Sequence, residues 1–172
     1  MKKKRILVIL GGVSKERKIS LISGKACIKA LKSLGFIVKV FDPFKKHYNE
    51  INNLNVDLIF NALHGKEGED GLAQSYFEYL RIPYTHSGVI SSMNAMDKEI
   101  SKQIFKKNKI LTPKYFSLDE GRYTHKIVKD KIKSEKIKFP IVIKPNDEGS
   151  SIGVNICKDF KQLKSKIKYL FK

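Results

Sequence analysis

The sequence predicts an α/β fold in which a mostly parallel sheet comes first and a smaller second domain follows. Up to residue 90, short apolar runs alternate with helical patterns. That alternation places parallel strands side by side through right-handed crossover connections. Farther along, charged helical stretches and one pair of apolar runs around a turn replace the alternation. The change places a boundary near residues 88–97 and predicts domains over residues 1–90 and 91–172.

The first domain is predicted to be built on a buried strand over residues 5–10. This run, RILVIL, is apolar almost throughout, which is typical of a strand covered on both faces. A helical pattern over residues 21–34 follows it and stops at Gly35. Further strands are predicted over residues 36–41, 56–63 and 82–85, and a further helix over residues 71–80.

The second domain is predicted to be a hairpin packed with helices. Apolar runs at residues 141–144 and 152–156 flank a turn that contains Gly and Ser, the pattern of a β-hairpin. An amphipathic helix over residues 159–172 follows. Because a hairpin with one or two helices is a poor independent unit, this domain is expected to be incomplete. The remaining predictions are a helix over residues 91–109, a strand over 114–118 and a charged helix or mobile connection over 120–136.

The net charge of +18 raises the question of a nucleic-acid partner. The lysines are scattered rather than clustered with aromatic residues, so nucleic-acid binding is the less favoured interpretation. Steeply salt-dependent DNA binding would support it. The positive charge suits a nucleotide phosphate without demonstrating one, and the apolar share of 41% is enough for a packed core.

The sequence contains no pattern typical of a membrane helix or a secretion signal. No apolar run reaches the ~18 residues that a membrane helix needs. The basic start at residues 1–5 resembles a signal peptide, but the apolar run after it is short and meets Gly11 and Gly12. We therefore expect a cytoplasmic protein without a membrane partner, in which Cys27 and Cys157 are buried free thiols.

The first candidate site follows the first strand, at residues 11–17. Glycines there let the backbone approach a ligand, and the following helix offers free N–H groups. The spacing is not GxGxxG, and Glu16 suits a cation such as a substrate ammonium better than a phosphate. The alternative is a tight turn with a surface pair between Glu16 and Arg17, and these residues alone favour it.

The second candidate site is the segment 64–71, at the carboxyl end of the third predicted strand. Three glycines in eight residues indicate unusual backbone angles at an edge where α/β sheets bind ligands. His64 could donate a hydrogen bond to a substrate carboxylate, while Glu69 and Asp70 could cap the next helix. An acidic turn with an incidental histidine is the alternative. A metal site is weakly supported, because one His and two acids in a loop define no coordination geometry.

The third candidate site is the segment 144–153. Lys144 ends a strand and a small-residue loop leads into the next one, so backbone N–H groups and hydroxyls could fold over phosphates. The segment is not a Walker A loop, because the lysine precedes the glycines. An ordinary hairpin turn is the alternative. Lys98, directly after Asp97, is a fourth and minor candidate for a phosphate contact.

Taken together, these segments resemble the D-alanine–D-alanine ligase family of ATP-grasp enzymes. They lie in the family's order and at its spacing, and HGxxGEDG and KPxxEGSSxGV are the most specific motifs. The resemblance implies a Rossmann-like (pre-ATP-grasp) parallel-sheet domain followed by the small lobe of an ATP-grasp domain, which is incomplete here. The matching pieces are LGGVSKERKIS (10–20), ALHGKEGEDGLAQS (62–75), PYTHSGVISSMNAMDK (83–98) and PIVIKPNDEGSSIGV (140–154).

The resemblance also implies a reaction. ATP phosphorylates the carboxylate of one D-alanine, and the amine of a second D-alanine attacks the acyl phosphate to give D-alanyl-D-alanine for peptidoglycan, with ADP and phosphate released. Phosphorylation creates a good leaving group, and the remaining task is positioning and charge neutralisation. Mg²⁺, or alternatively Mn²⁺, is implied, with its ligands expected after Lys172. The complete enzyme is expected to be a homodimer.

Residue roles follow from the same resemblance. Glu16 resembles the residue that binds the ammonium of the first D-alanine, and His64 resembles the one that places and activates that substrate. Lys98 and Lys144 resemble two ATP-contacting lysines. The phosphate-covering loop corresponds to Glu148, Gly149, Ser150 and Ser151, with Ser150 also hydrogen-bonded to Glu16, and no metal ligand is implied within the chain.

Two positions depart from the family pattern. His86 stands where the family usually has glycine, and it is expected to crowd the turn or to point to solvent. Val13 replaces a threonine or small residue. The adenine hinge, catalytic arginine, omega-loop tyrosine and metal ligands would all follow Lys172, so this chain alone is predicted to form no D-alanyl-D-alanine. Ligases that join D-alanine to D-lactate or D-serine, and a non-catalytic binding module, are the alternatives.

Overall fold

The computed structural model describes residues 3–171, in two compact units. The first unit ends at Met96 and the second begins at Asp97. Met1 and Lys2, at the start of the basic N-terminal segment, and Lys172, at the end of the last predicted helix, lie outside the described residues. Within residues 3–171, no helix is both long enough and apolar enough to cross a membrane.

The first unit is built on a parallel three-stranded sheet, as the strand–helix alternation predicted. Strand β1 (Arg5–Ile9) lies in the centre, with β2 (Ile37–Phe41) on one side and β3 (Leu58–Asn61) on the other. Arg5 pairs with Ile37, and Ile6 pairs with Leu58. Because the three strands run in the same direction, their carboxyl ends open at a single edge of the sheet.

Helices cover both faces of this sheet. Leu7 and Ile9 of β1 pack with Phe77 on one face, whereas Ile6 and Val8 pack on the other. All of β1 after Arg5 is buried, which explains its near-continuous apolar sequence. The elements around the sheet are α1 (Arg17–Ser33), a 3₁₀ helix (Tyr48–Asn53), α2 (Leu72–Tyr79) and α3 (Val89–Met96).

Two elements of the first unit differ from prediction. Helix α1 begins at Arg17, four residues before the predicted start, because its first turn is polar and carries no apolar periodicity. The predicted strand at residues 82–85 is reduced to one bridge, between Ile59 and Tyr84. Cys27 is only half-buried rather than buried, while Cys157 is fully buried as predicted, and both are free thiols.

The second unit contains the predicted antiparallel hairpin, but its second strand begins at Asn155 and not at residue 152, because residues 151–153 are part of the turn. Strand β4 (Ile141–Ile143) pairs with β5 (Asn155–Cys157). The hairpin packs against α5 (His125–Ser134) and α6 (Phe160–Leu170), and α4 (Lys98–Lys107) opens the unit. The core side chains are Val128, Ile141, Cys157, Leu163 and Ile167.

Two predictions for the second unit are wrong. The helix expected over residues 91–109 is interrupted at Asp97, whose side chain accepts a hydrogen bond from the Ile100 N–H at 2.8 Å and caps α4. The segment 114–118 is not a strand, since no described strand pairs with it. Its apolar residues have another role, because Phe116 and Leu118 pack against the core of the second unit.

Candidate functional site

The glycine turn after β1 is held by a buried hydroxyl. Ser20 is fully buried, and its Oγ accepts from the Gly11 N–H at 2.7 Å and donates to the Ala62 carbonyl at 2.6 Å. Gly11 has a φ of +85°, and a Cβ there would lie 2.5 Å from an Asp42 carboxylate oxygen. The turn therefore requires glycine for both its backbone angle and its close approach to Asp42.

Arg17 pairs with Asp42, not with Glu16, so the predicted surface pair between Glu16 and Arg17 is wrong. The Arg17 Nη2 lies 2.7 Å from the Asp42 Oδ2, and its Nη1 donates to the Gly12 carbonyl at 2.8 Å. The Gly12 N–H donates to Asp42 at 3.1 Å. Arg17 and Asp42 thus clamp the turn from both sides and leave Glu16 without a cationic partner on α1.

The Asp42 carboxyl is held ionised by its contacts. The hydrogen bond from Arg17 lowers its pKa, and the N–H groups of Gly12 and Phe44 add to this effect. Since the folded-state pKa lies below the ordinary value of 3.8, ionised Asp42 stabilises the fold above about pH 4. That contribution is lost as the pH falls through the lowered pKa.

Asp42→Asn is expected to lower the free energy of unfolding by about 2 kcal/mol at pH 7. The loss should shrink toward zero as the pH falls below the lowered pKa of Asp42, and urea unfolding at several pH values measures it. Asp130→Asn is the matched control, because Asp130 is an exposed acid on α5 of the second unit and its loss should leave the stability nearly unchanged. If Asp42→Asn has an unchanged free energy of unfolding at pH 7, the ion pair between Arg17 and Asp42 does not stabilise the fold.

Glu16 is a buried carboxylate beside the loop that carries His64. It is 9% exposed, and a Cβ on Gly65 would lie 2.5 Å from its Oε2. The Ser14 Oγ connects the two segments, because it accepts from the Glu16 N–H at 3.1 Å and donates to the His64 carbonyl at 2.6 Å. Within the described part of the first unit, no hydrogen-bond donor or cation contacts the Glu16 carboxylate. A cationic ligand group would satisfy it.

The His64 ring has a neighbour at each nitrogen. Its Nδ1 lies 3.6 Å from the Glu69 Oε1, and its Nε2 lies 3.1 Å from the Ser23 Oγ. Glu69 also accepts from the Gly65 N–H at 3.0 Å. Of the two acids predicted to cap α2, only Asp70 does so, by accepting from the Leu72 N–H at 3.1 Å. Glu69 contacts the His64 ring instead.

His86 is exposed, as one of the two expectations for it had it, and its ring is also tied to a neighbouring strand. Its φ is +80°, a conformation that favours glycine, and its Nε2 donates to the Asn61 carbonyl at 2.8 Å. The hydrogen bond ties the turn after residue 85 to the end of β3. The side chain thus offsets part of the strain that its backbone conformation introduces.

In the second unit, Lys98 holds the loop after β4. Its Nζ donates to the Asn146 carbonyl at 2.9 Å and to the Glu148 carbonyl at 2.6 Å. Partial burial lowers the pKa of Lys98, and the charge of Lys144 lowers it further. The same two causes lower the pKa of Lys102, one helical turn along α4. The charge of Lys144 therefore acts on both Lys98 and Lys102 near this loop, and such a concentration of positive charge favours an anion.

The loop itself is a tight turn with several left-handed residues. Ser150, Ser151 and Gly153 all have positive φ values, of 46°, 63° and 71°. The turn is closed by the Ile152 N–H, which donates to the Gly149 carbonyl at 2.9 Å. Both serines and Lys144 are exposed, so their polar groups are accessible to a ligand. The Val154 N–H likewise donates to the Ser151 carbonyl, at 3.2 Å.

The described residues do not fit a metal ion. Within residues 3–171, no three His, Cys, Asp or Glu side chains lie close enough together to hold one. This includes the loop with His64, Glu69 and Asp70, where Glu69 contacts the imidazole and Asp70 accepts from backbone N–H groups. The weak metal interpretation of that loop is therefore wrong.

Several residues of the site escaped the sequence prediction. Asp42 directly follows the second predicted strand, and the rule that ligands bind at strand carboxyl ends could have selected it. Ser14 and Ser23 carry no comparable signal, because single serines in a loop or helix are common. Asn146 lies within the third candidate segment, but the sequence does not show its contact with α4. Its Oδ1 accepts a hydrogen bond from the Glu99 N–H at 3.0 Å, which only the tertiary structure reveals.

Comparisons of the sequence with known proteins all lead to the same family. The chain matches the family model described as D-ala D-ala ligase N-terminus over residues 39–87, and the model described as D-ala D-ala ligase C-terminus over residues 104–172. It is 50% identical over 168 residues to a D-alanine–D-alanine ligase of Pelagibacter ubique (strain HTCC1062). That match covers 94% of this chain and 55% of the relative.

Solved structures agree with the sequence matches. A D-alanine–D-alanine ligase from Bacillus anthracis superposes with a TM-score of 0.85 at 36% identity, covering 98% of this chain and 54% of that one. The same enzyme complexed with ATP gives 0.76 at 34% identity, with coverage of 98% and 55%. The VanG D-Ala:D-Ser ligase from Enterococcus faecalis gives 0.80 at 26% identity, with coverage of 99% and 60%.

The chain spans about half the length of the curated relatives that it matches. The two family models match in consecutive order and together cover more than half of the chain. The chain also superposes on a solved D-alanine–D-alanine ligase over 98% of its residues. This chain therefore belongs to the D-alanine–D-alanine ligase family.

Proposed function

We propose that the full-length gene product joins two D-alanine molecules at the expense of ATP. The observation that carries the proposal is the buried Glu16 carboxylate, which faces the His64 loop and lacks a cationic partner in its own unit. A carboxylate next to the loop that carries an imidazole suits the ammonium and the carboxylate of one small amino acid. ATP would phosphorylate that carboxylate, and the amine of the second D-alanine would displace the phosphate.

Within the first unit, Glu16 would bind the ammonium of the first D-alanine. Burial strengthens such a pair, because little water competes for the carboxylate. His64 would approach the substrate carboxylate and offset the negative charge that accompanies phosphoryl transfer. Ser14 supports both roles, since its hydroxyl connects the Glu16 N–H to the His64 carbonyl.

Within the second unit, Lys98 and Lys144 would contact the phosphates of ATP. The turn of Glu148, Gly149, Ser150 and Ser151, in which both serines are exposed, would cover them with its N–H and hydroxyl groups. The ATP complex of the Bacillus anthracis relative supports a nucleotide ligand for this fold.

Further features of the complete enzyme follow from the family. We propose a cytoplasmic homodimer that supplies a peptidoglycan precursor, with D-alanine as its small-molecule substrate and no nucleic-acid or membrane partner. Residues 3–171 provide no suitable set of ligands for magnesium, or for manganese in its place. We therefore propose that the ligands correspond to the part of the relatives that this chain does not match.

A D-alanine–D-serine ligase is the second candidate, and the match to the VanG D-Ala:D-Ser ligase favours keeping it. Both activities share the first D-alanine site and differ in the attacking group. Product analysis with D-alanine alone and with D-alanine plus D-serine distinguishes them. If D-alanyl-D-serine is the main product of the mixed reaction, the second proposal is correct and the first is wrong.

Lys144→Ala is expected to weaken nucleotide binding to this chain at least about tenfold, because a charge-assisted contact to phosphate is lost. Isothermal titration with a non-hydrolysable ATP analogue measures the change. Lys164→Ala is the matched control, since Lys164 is an exposed lysine on α6 and its loss removes the same charge. Equal affinities of the two variants would contradict the assignment of Lys144.

A further inference from the structure

Two buried amide side chains meet at one backbone carbonyl in the loop that carries His64. The Asn61 Nδ2, at the end of β3, donates to the Gly68 carbonyl at 2.9 Å, and the Gln74 Nε2, on α2, donates to the same oxygen at 2.8 Å. Asn61 and Gln74 are each 1% exposed. A carbonyl oxygen has two lone pairs, so the Gly68 carbonyl has its full number of hydrogen bonds. The strand before the loop and the helix after it therefore hold the same point of the loop.

Asn61 also connects the beginning of the loop to its middle. Its Oδ1 accepts from the Leu63 N–H at 3.1 Å, which leaves the NH₂ group of the amide for Gly68. A Cβ on Gly68 would overlap the Leu63 side chain, so these two parts of the loop are in close contact. Leu63 directly precedes His64 in the sequence. Gly68 directly precedes Glu69, so the two hydrogen bonds of one amide fix the backbone beside both side chains.

The Gln74 side chain holds the loop at a cost to the stability of the fold. Its Oε1 is buried and has no hydrogen-bond partner among residues 3–171. Turning the amide over would place this oxygen against the Gly68 carbonyl, which also only accepts. A buried acceptor without a partner is destabilising, whereas an apolar side chain of the same shape would be nearly neutral. Global stability thus does not account for a glutamine at position 74, but the contact with Gly68 does.

We infer that Asn61 and Gln74 are positioning residues, which hold the loop of residues 64–70 in its place against Glu16. Both side chains line a hollow of about 410 Å³ that His64 also lines. A shift of the loop would change the position of His64 relative to the Glu16 carboxylate. The consequence for catalysis rests on the function proposed above, whereas the hold on the loop is a property of this chain alone.

The first test is amide hydrogen exchange of Gln74→Met in the 172-residue chain, without nucleotide or D-alanine. Methionine has nearly the same length and volume as glutamine, and it removes both the donor to Gly68 and the unpartnered oxygen. The Gly68 and Glu69 N–H groups donate to the Gly65 carbonyl at 3.1 and 2.9 Å, so their exchange rates report on the loop. Both should exchange about fivefold faster in the variant, because one hydrogen bond that holds the loop is lost.

A reference amide separates a local change from a loss of global stability. The Leu10 N–H donates to the Phe41 carbonyl at 3.0 Å, on the side of β1 away from the loop, and should exchange as in the wild type. The midpoint of urea unfolding of Gln74→Met should not fall. Asn61→Ser tests the second amide, since serine can still accept from the Leu63 N–H but is too short to replace the donor to Gly68. It should accelerate the loop amides relative to Leu10 as well.

The second test is steady-state kinetics of Gln74→Met in the full-length gene product. We expect kcat/KM for D-alanine to fall on the order of tenfold, because the loop is no longer held in the geometry that the substrate requires. KM for ATP should stay near its original value. The matched control is Gln103→Met, which replaces an exposed glutamine on α4 and should leave both the kinetics and the exchange rates unchanged.

The inference is overturned if the Gly68 and Glu69 amides of Gln74→Met exchange as in the wild type. It is also overturned if the Leu10 amide accelerates to the same extent, since Gln74 would then only stabilise the fold. Unchanged D-alanine kinetics of Gln74→Met in an active enzyme would overturn it as well. A full-length wild-type protein that forms no D-alanyl-D-alanine would instead contradict the proposed function, and the exchange rates would still decide whether these amides hold the loop.

Discussion

Glu16→Gln is expected to reduce kcat/KM for D-alanine in the full-length gene product on the order of a hundredfold. Glu16 is 9% exposed, so the amide that replaces its carboxylate would leave the proposed D-alanine ammonium without a counter-charge where little water can replace it. Removing one member of a buried charge pair typically costs 2–5 kcal/mol, that is, about thirtyfold or more. Steady-state kinetics with D-alanine and ATP varied separately measures the change, and KM for ATP should stay near its original value.

The matched control for this substitution is Glu120→Gln, which neutralises an exposed glutamate of the second unit. Its kinetics should equal those of the unmodified protein. If Glu16→Gln instead raised KM for ATP while leaving the D-alanine dependence unchanged, Glu16 would not be the ammonium site. The carboxylate would then belong to the nucleotide side of the reaction.

Gly65→Ala is expected to reduce D-alanine ligation about as strongly as Glu16→Gln, although residue 65 contributes no functional group. Its φ is +70°, which an alanine adopts at a cost of about 1–2 kcal/mol. The new Cβ would also lie 2.5 Å from the Glu16 Oε2, so the carboxylate must move. Kinetics as above, with urea unfolding of the same variant, separates the loss of activity from the loss of stability.

Gly35→Ala separates the two effects of this substitution. Gly35 also has a positive φ, of 84°, but a Cβ there meets no atom within 4 Å. This control should lose a similar amount of stability from backbone strain and retain its activity. Normal activity of Gly65→Ala would show that the Glu16 carboxylate can shift without consequence, which contradicts its proposed role.

The elements that periodicity predicts well are those whose pattern reflects burial. Strand β1 is apolar throughout because both faces of a central parallel strand are covered, and the hairpin of β4 and β5 is marked by two short apolar runs around small residues. The segment 114–118 has the same apolar appearance and is not a strand. Side chains such as Phe116 pack in the core, but pairing depends on a neighbouring strand that local sequence cannot reveal.

The glycine positions and the family motifs could be recognised in the linear sequence, because tight turns and close backbone approaches restrict which residue a position tolerates. Glu16, His64, Lys98 and Lys144 were selected on that basis. The hydrogen-bond partners of the site residues could not be recognised in this way. Asp42 pairs with Arg17, 25 residues away in sequence, and Ser23 contacts His64, 41 residues away. Such pairs arise from the parallel sheet, which brings the ends of separate strands to one edge, and a hydrogen bond depends on distance in space and not on separation along the chain.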